Sequence, residues 1–282
     1  MPSSPALPEP TPEERARSSA LAALIHAEID AAGGALPFAR FMELALYAPG
    51  LGYYTGGKHK FGPDGDFITA PELGTVFARC LARQCAPILE ATRGDILEAG
   101  AGSGALAAEL LLELERLGTL PGRYFILELS GELRARQRET ITMRAPQLAA
   151  RVHWLDALPA PGFRGVVLVN ELLDALPVER FRLQNGDAIR LGVGTENEHF
   201  VWRELEADAA LRARVAEFKL ADGYESELGF AAEGWVRSIA ERIEHGALLS
   251  IDYGFPRAEF YHPDRRQGTL MCHYMHHAHD NP

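Results

Sequence analysis

Asp95-Ile96-Leu97-Glu98-Ala99-Gly100-Ala101-Gly102-Ser103-Gly104 is the stretch on which the fold turns. Asp95–Ala99 reads as a short strand, and Ala105–Leu117 has the apolar spacing of a helix. Three alternate glycines lie between them. One glycine permits a tight turn, one admits a ligand close to the backbone, and one lets helix and strand pack closely. A strand, a glycine turn and a helix make the opening unit of a doubly wound α/β sheet.

Outward from that turn the pattern repeats. Tyr124–Glu128 reads as a strand, Glu132–Arg144 as a helix, and Val152–Leu155 as a third strand. Gly165–Asn170 is almost wholly apolar, as a parallel strand covered on both faces must be. Ala247–Asp252 reads as a further strand. Upstream, helices are expected over Ser18–Ala32, Phe38–Leu46 and from Pro71 or Glu72 to about Ala91. Between Val178 and Leu205 the alternation fits a β-ribbon. Phe181–Leu183 and Ala188–Val193 flank a turn at Asn185-Gly186-Asp187, and Phe200–Trp202 offers another strand. Ala231–Ile243 returns to helix. The reading divides the chain into a disordered tail over residues 1–17, a helical segment with a covering loop over 18–92, a core from 93–177 and 246–282, and a substrate-side insertion over 178–245.

The glycine turn alone fits two cofactors. Gly100, Gly102 and Ala105 match a dinucleotide-binding pattern. Glu98 favours S-adenosylmethionine: a carboxylate before the first glycine repels a pyrophosphate but attracts a cationic methionyl group. The plain alternative is a strand-end carboxylate bonded to nearby amides. Glu128 ends the next strand, where a carboxylate accepts ribose hydroxyls; a solvated strand end is its alternative. Asp156 follows the third strand, placed either for an adenine amino group or for a simple Asx turn.

Asn170-Glu171-Leu172-Leu173-Asp174-Ala175-Leu176-Pro177 follows the most apolar strand. Asn170 and Glu171 are costly to bury unpaired there. Methyl transfer needs in-line positioning of a nucleophile more than acid–base help. An amide and a carboxylate at this place suit an amine or guanidinium acceptor. Otherwise Asp174 caps a short helix and Asn170 ties two loops together.

Composition narrows the function classes. The 282 residues carry a formal charge of −11, with 47% hydrophobic and 24% charged residues. Nucleic-acid binding is not expected of so acidic a chain. No apolar run reaches the roughly 20 residues of a membrane span, so no insertion is expected. Cys80, Cys85 and Cys272 form neither a disulfide framework nor a zinc set, and a cytoplasmic protein is expected. The Pro- and Glu-rich N-terminus resembles neither a secretory signal nor a transit peptide.

Three further segments accompany the glycine turn: Gly65-Asp66-Phe67-Ile68-Thr69-Ala70-Pro71-Glu72, the Asn170–Pro177 stretch, and Asp252-Tyr253-Gly254. Together they resemble the MidA-like family of class I S-adenosylmethionine-dependent methyltransferases, over about Pro37 to His279. The mitochondrial members are complex I assembly factors that methylate an arginine of one of its subunits. The resemblance implies a Rossmann-like seven-strand sheet with Glu98, Gly100, Gly102, Gly104, Glu128, Asp156 and Asn170 lining the cofactor site. It implies a loop over the cofactor bearing Thr69, Pro71 and Glu72, although the same segment also reads as a helix start capped by Thr69. Asn170, Glu171 and Asp174 become the catalytic set: Asn170 positions the acceptor, Glu171 orients it and Asp174 supports the loop. Tyr53 and Tyr54 either close an acceptor channel or pack a loop. The implied partner is a protein substrate, a NADH dehydrogenase subunit by analogy, and no metal is implied, despite His273, His276, His277 and His279. Two departures stand out. Gly229-Phe230 replaces an expected Asn-Pro, and the chain stops at Pro282, where similar proteins continue, so the last sheet strands are expected to be missing. The rival readings are an NAD-dependent oxidoreductase and a non-catalytic assembly chaperone.

Overall fold

The protein, described by a computed structural model over residues 8–56, 74–274 and 277–279, consists of two units interleaved along the chain. One comprises Met1–Lys58, Leu176–Glu233 and Gly254–Pro282, the other His59–Ala175 and Gly234–Tyr253.

The second unit is built on a parallel sheet. Its five strands lie in the order Ile243–Ile251, Phe163–Asn170, Asp95–Ala99, Tyr124–Leu127, Val152–Leu155. The glycine-turn strand is therefore central. Successive strands run outward from it on one side, and the chain then returns to its other side at Phe163–Asn170. Val166, Val167, Leu168 and Val169 are all buried, because this strand is covered on both faces. Helices Thr75–Thr92, Ala105–Leu117 and Gly131–Arg144 contribute Leu81, Cys85, Leu110, Leu111, Leu114 and Ile141 to one core, which includes Ile96, Tyr124 and Ile126 of the sheet. On the other face Leu97, Phe163 and Val167 pack with Ile239 and Trp235, from helix Phe230–Ala240.

The first unit carries an antiparallel sheet in the order Ala35–Pro37, Asp187–Glu196, Glu179–Gln184, Glu225–Leu228, with His199–Glu206 also paired to Asp187–Glu196. The expected ribbon turn is present: Asn185 and Gly186 take φ of 52° and 81°, the left-handed pair that a tight hairpin demands. Helices Pro12–Ala31 and Phe38–Tyr47 bury Ile25, Ile29, Phe38, Phe41 and Leu44 with Val193.

Three features differ from the sequence reading. Helix Pro12–Ala31 begins inside the expected 1–17 tail. Thr11 explains this: its Oγ1 accepts from the Glu14 amide at 3.2 Å while the Glu14 carboxylate accepts from the Thr11 amide at 2.8 Å, a reciprocal cap. The insertion also holds helix Ala209–Ala216 and strand Glu225–Leu228, which the sequence reading did not foresee. Finally, Gly254–Pro282 groups with the insertion sheet instead of the parallel sheet. Buried polar contacts account for it. The Thr269 amide donates to Glu227 Oε2 at 2.9 Å, Arg180 donates to the Gln267 carbonyl at 3.3 Å, and the Tyr261 hydroxyl donates to the Glu227 carbonyl at 3.2 Å. His273, His277 and His279 lie on the two-stranded pairing of Cys272–Tyr274 with His277–His279.

Candidate functional site

The strand order fixes where to look. Asp95–Ala99 and Phe163–Asn170 are parallel neighbours whose continuations leave in opposite directions along the sheet, and the carboxyl ends at such a switch point form the ligand-binding crevice of open α/β folds. The two ends meet closely here: a Cβ on Gly100 would stand 3.1 Å from Leu172 Cδ1. Gly100, Gly102 and Gly104 take φ of 70°, 53° and 83°, the left-handed conformation that only glycine adopts freely. The Gly100 amide donates to the Leu127 carbonyl at 3.0 Å and the Gly104 amide to the Ala101 carbonyl at 2.8 Å, so the turn is tied to the end of the next strand.

Glu98 is 2% exposed. Its Oε2 accepts the Tyr124 hydroxyl at 2.7 Å. Burial pushes its carboxyl up to about 7, the negative Glu128 adds to the rise, and the Tyr124 hydrogen bond opposes it. Glu98 is thus a buried acid whose ionisation a nearby positive charge would favour.

Glu128 stands at the end of the adjacent strand. Its Oε1 accepts the Ser130 amide at 2.9 Å and its Oε2 the Gln137 side-chain amide at 3.1 Å. Burial raises its pKa, and those hydrogen bonds work against the rise. Arg134 donates to the carbonyls of Glu128 and Leu155, each at 2.6 Å, and pairs with the Asp156 carboxylate at 2.7 Å. The Asp156 side chain is 90% exposed.

At the other strand end the Glu171 amide donates to the Ile251 carbonyl at 2.8 Å, and Glu171 takes φ of 51°. A non-glycine residue held there stores roughly 1–3 kcal/mol and tends to mark a functional position. Asn170 donates a side-chain hydrogen bond to the Glu171 carboxylate. Burial, then Asp174, then Asp252 act to raise the Glu171 pKa, and Asn170 counters them. The Asp174 pKa is raised by burial and by Asp252, and its carboxylate accepts backbone hydrogen bonds. Asp174 caps no helix. The loop is held instead by Asp252, whose Oδ2 accepts the amides of Leu173 at 2.9 Å and Asp174 at 3.3 Å, and whose Oδ1 accepts that of Tyr253 at 2.8 Å. Three carboxylates thus converge beside the glycine turn, an arrangement that attracts a cation.

Of the residues read from sequence, Glu98, Gly100, Gly102, Gly104, Glu128, Asn170, Glu171 and Asp174 sit at the carboxyl ends of these strands, and Asp156 lies beyond the edge strand. Thr69, Pro71 and Glu72 fall outside the described residues. Tyr53 and Tyr54 lie in the other unit, where the Tyr54 ring stacks on Tyr47 at 5.5 Å. Gln137, Tyr124 and Arg134 were given no site role by the sequence reading, and Asp252 entered it only as part of the Asp252-Tyr253-Gly254 segment, without a role. Asp252 was within reach, because it follows an apolar strand much as Glu171 does. Among the described residues, no group of three His, Cys, Asp or Glu side chains could hold a metal ion, and no helix is long and apolar enough to cross a membrane.

Comparison with known proteins fits this geometry. Residues 80–282 match a family model described as "Putative S-adenosyl-L-methionine-dependent methyltransferase". A crystal structure from Burkholderia thailandensis bound to S-adenosyl-homocysteine is 50% identical with a TM-score of 0.94, covering 98% of this chain and 73% of that one. The protein arginine methyltransferase NDUFAF7 of Danio rerio is 28% identical over 79% of this chain and 59% of its own length. Its Drosophila melanogaster homolog is 25% identical over 97% of this chain and 67% of its own length. The chain therefore spans about 59–67% of these two relatives.

Proposed function

This chain belongs to that family of S-adenosyl-L-methionine-dependent methyltransferases, the MidA-like family of its sequence motifs, and from that premise we propose that it binds S-adenosylmethionine at the switch point and methylates a protein side chain. The observation that carries the reading is the approach of the Gly100 turn to the Asn170–Asp174 loop, with Glu171, Asp174 and Asp252 converging there. An arginine guanidinium is the acceptor this set suits best.

The residues fit a cationic cofactor better than a dinucleotide. Glu98 sets a carboxylate just before the glycine turn, and near a pyrophosphate it would repel, whereas Glu128 suits the ribose of either cofactor. When bound, S-adenosylmethionine supplies a methyl group on a sulfonium, a good electrophile with a neutral leaving group. The chain supplies position and charge. Glu98 meets the positive end of the cofactor. Glu128 would accept the ribose hydroxyls, and Asp156 would meet the adenine amino group. The glycine turn lets the backbone approach. Asn170 and Glu171 hold the acceptor so that one nitrogen lone pair faces the methyl carbon. Transfer from the bound cofactor would place the methyl group on that nitrogen with the neutral thioether as leaving group, and Glu171 or solvent would take the proton that the nitrogen gives up. In-line positioning of this kind accounts for most of what such a reaction needs.

A respiratory complex I subunit, met in the cytoplasm, is the candidate substrate by family analogy. The test is mass spectrometry of lysate proteins after incubation with methyl-labelled cofactor and the purified protein. A labelled arginine that disappears with Glu171→Gln supports the reading. Thermal stabilisation by NADH and not by S-adenosyl-homocysteine overturns it in favour of an oxidoreductase. Client maturation that survives Gly102→Val in a folded protein overturns it in favour of a chaperone.

A further inference from the structure

Gln137 lies on helix Gly131–Arg144, is 0% exposed, and has no place in the account above. Its side chain meets three partners. Nε2 donates to the Gly102 carbonyl and to Glu128 Oε2, each at 3.1 Å, and Oε1 accepts the Trp154 indole N–H at 2.8 Å. An indole nitrogen can only donate, so Oε1 must face Trp154, and both Nε2 hydrogens are then committed to the two acceptors. The amide orientation follows from the network. The two backbones approach closely as well, since a Cβ on Gly104 would stand 3.0 Å from Gln137 Cα. One buried amide thus ties together the glycine turn, the acid at the end of the second strand, and the third strand.

We propose that Gln137 is a positioning residue for the cofactor site, holding the Glu128 carboxylate and the Gly102 carbonyl in the geometry that receives the ribose. The proposal rests on the cofactor reading above. Ser130 fixes one Glu128 oxygen and Gln137 the other, so the carboxylate plane is set from two sides. The Leu129 amide adds a third hydrogen bond to Glu128, and of the roughly four lone pairs of a carboxylate the one left open would receive a ribose hydroxyl. Both N–H groups of a buried amide need acceptors, and here the acceptors are the glycine turn and the strand-end acid themselves. A charge-assisted hydrogen bond to a buried carboxylate also contributes more than a neutral one.

The test is calorimetric titration of the full chain with S-adenosyl-homocysteine, using Q137E and Q137M. In Q137E a second carboxylate faces Glu128 and the Gly102 carbonyl. Two such carboxylates share a proton in acid and repel when both ionise. Relative to the unsubstituted protein, Q137E should bind about tenfold more weakly near pH 8 and recover most of that loss near pH 6. Q137M keeps the length of the side chain and donates nothing, so it should bind roughly tenfold more weakly at both pH values. It carries the test if Q137E does not fold, as judged by circular dichroism. A folded Q137M that binds within about twofold of the unsubstituted protein overturns the proposal. So does a Q137E loss that is equal at both pH values, which marks damage to the fold. Absence of binding by the unsubstituted protein overturns the cofactor reading itself, and the proposal with it.

Discussion

Replacing Glu98 by Gln should remove from the ligand-free protein the share of the pH dependence of stability that this carboxyl contributes between mildly acidic and mildly alkaline conditions. Burial moves this carboxyl from its ordinary value of 4.5 to about 7. The folded protein therefore holds a proton across that window that the unfolded chain has already released. The contribution is fully present below about pH 4.5, is lost as pH rises to about 7, and is flat beyond. At roughly 1.4 kcal/mol per pH unit, the ionised residue costs on the order of 3 kcal/mol at pH 8. Gln carries no such charge, but its amide hydrogens face a pocket that offered Glu98 only the Tyr124 hydroxyl, and an unpaired buried donor costs about 1–3 kcal/mol. E98Q should therefore be the less stable protein in acid and should equal or overtake the unsubstituted one by roughly 1–2 kcal/mol near pH 8. Urea unfolding at a series of pH values checks this. Stability curves that run parallel for the two proteins would refute the argument, because Glu98 would then titrate alike in the folded and unfolded chains.

The same group should respond to its ligand: near pH 6, binding of S-adenosylmethionine should release up to about one proton as Glu98 ionises, read from calorimetry in buffers of different ionisation enthalpy. A heat independent of buffer would sink the idea that Glu98 faces the cation. Asp252→Asn removes a negative neighbour that raises the Glu171 pKa, so the acid limb of kcat/KM should move to lower pH while kcat falls as the loop loosens; an unmoved limb counts against Glu171 acting in its ionised form. Gly104→Ala should cost about 1–3 kcal/mol, because its φ is 83° and its Cβ would press on the Gln137 backbone at 3.0 Å; a thermal melt unchanged from the unsubstituted protein would contradict this.

The parallel sheet was legible because its strands are buried on both faces and so read as apolar runs. Asp95–Ala99, Ala105–Leu117 and Val152–Leu155 were read with the boundaries the structure gives. The insertion was less so. Glu225–Leu228 begins Glu-Ser-Glu, which no alternation rule reads as a strand; its charges are tolerated because Arg182 and Arg180 meet Glu225 at 2.6 and 3.3 Å. Those partners come from another strand, and spacing alone cannot supply them. The Thr11 cap was readable in principle, since Thr-Pro-Glu-Glu is a helix-start pattern, but it lay within a stretch whose composition resembled a tail. Gln137 carried no signal at all. Its helix is polar, and its value comes from three partners drawn from three other segments. The charged groups Glu98 and Glu128 were visible as positions, whereas their raised pKa values depend on burial that only the fold creates.

The pairing of Leu36 with Val193 and the bonding of Thr269 to Glu227 bear on the order in which the protein can fold as it is made. The early helices emerge long before Asp187–Glu196, the strand against which Ala35–Pro37 docks. The parallel sheet in turn waits for Ile243–Ile251, which pairs with Phe163–Asn170. Neither unit can close until most of the chain has left the ribosome, so apolar surfaces such as Phe38 and Phe41 must wait in the nascent polypeptide. Long-range pairing of this kind folds slowly and exposes aggregation-prone surface meanwhile. Interleaving the segments of two units along one chain thus lengthens the time for which apolar surface stands open to a chaperone during synthesis.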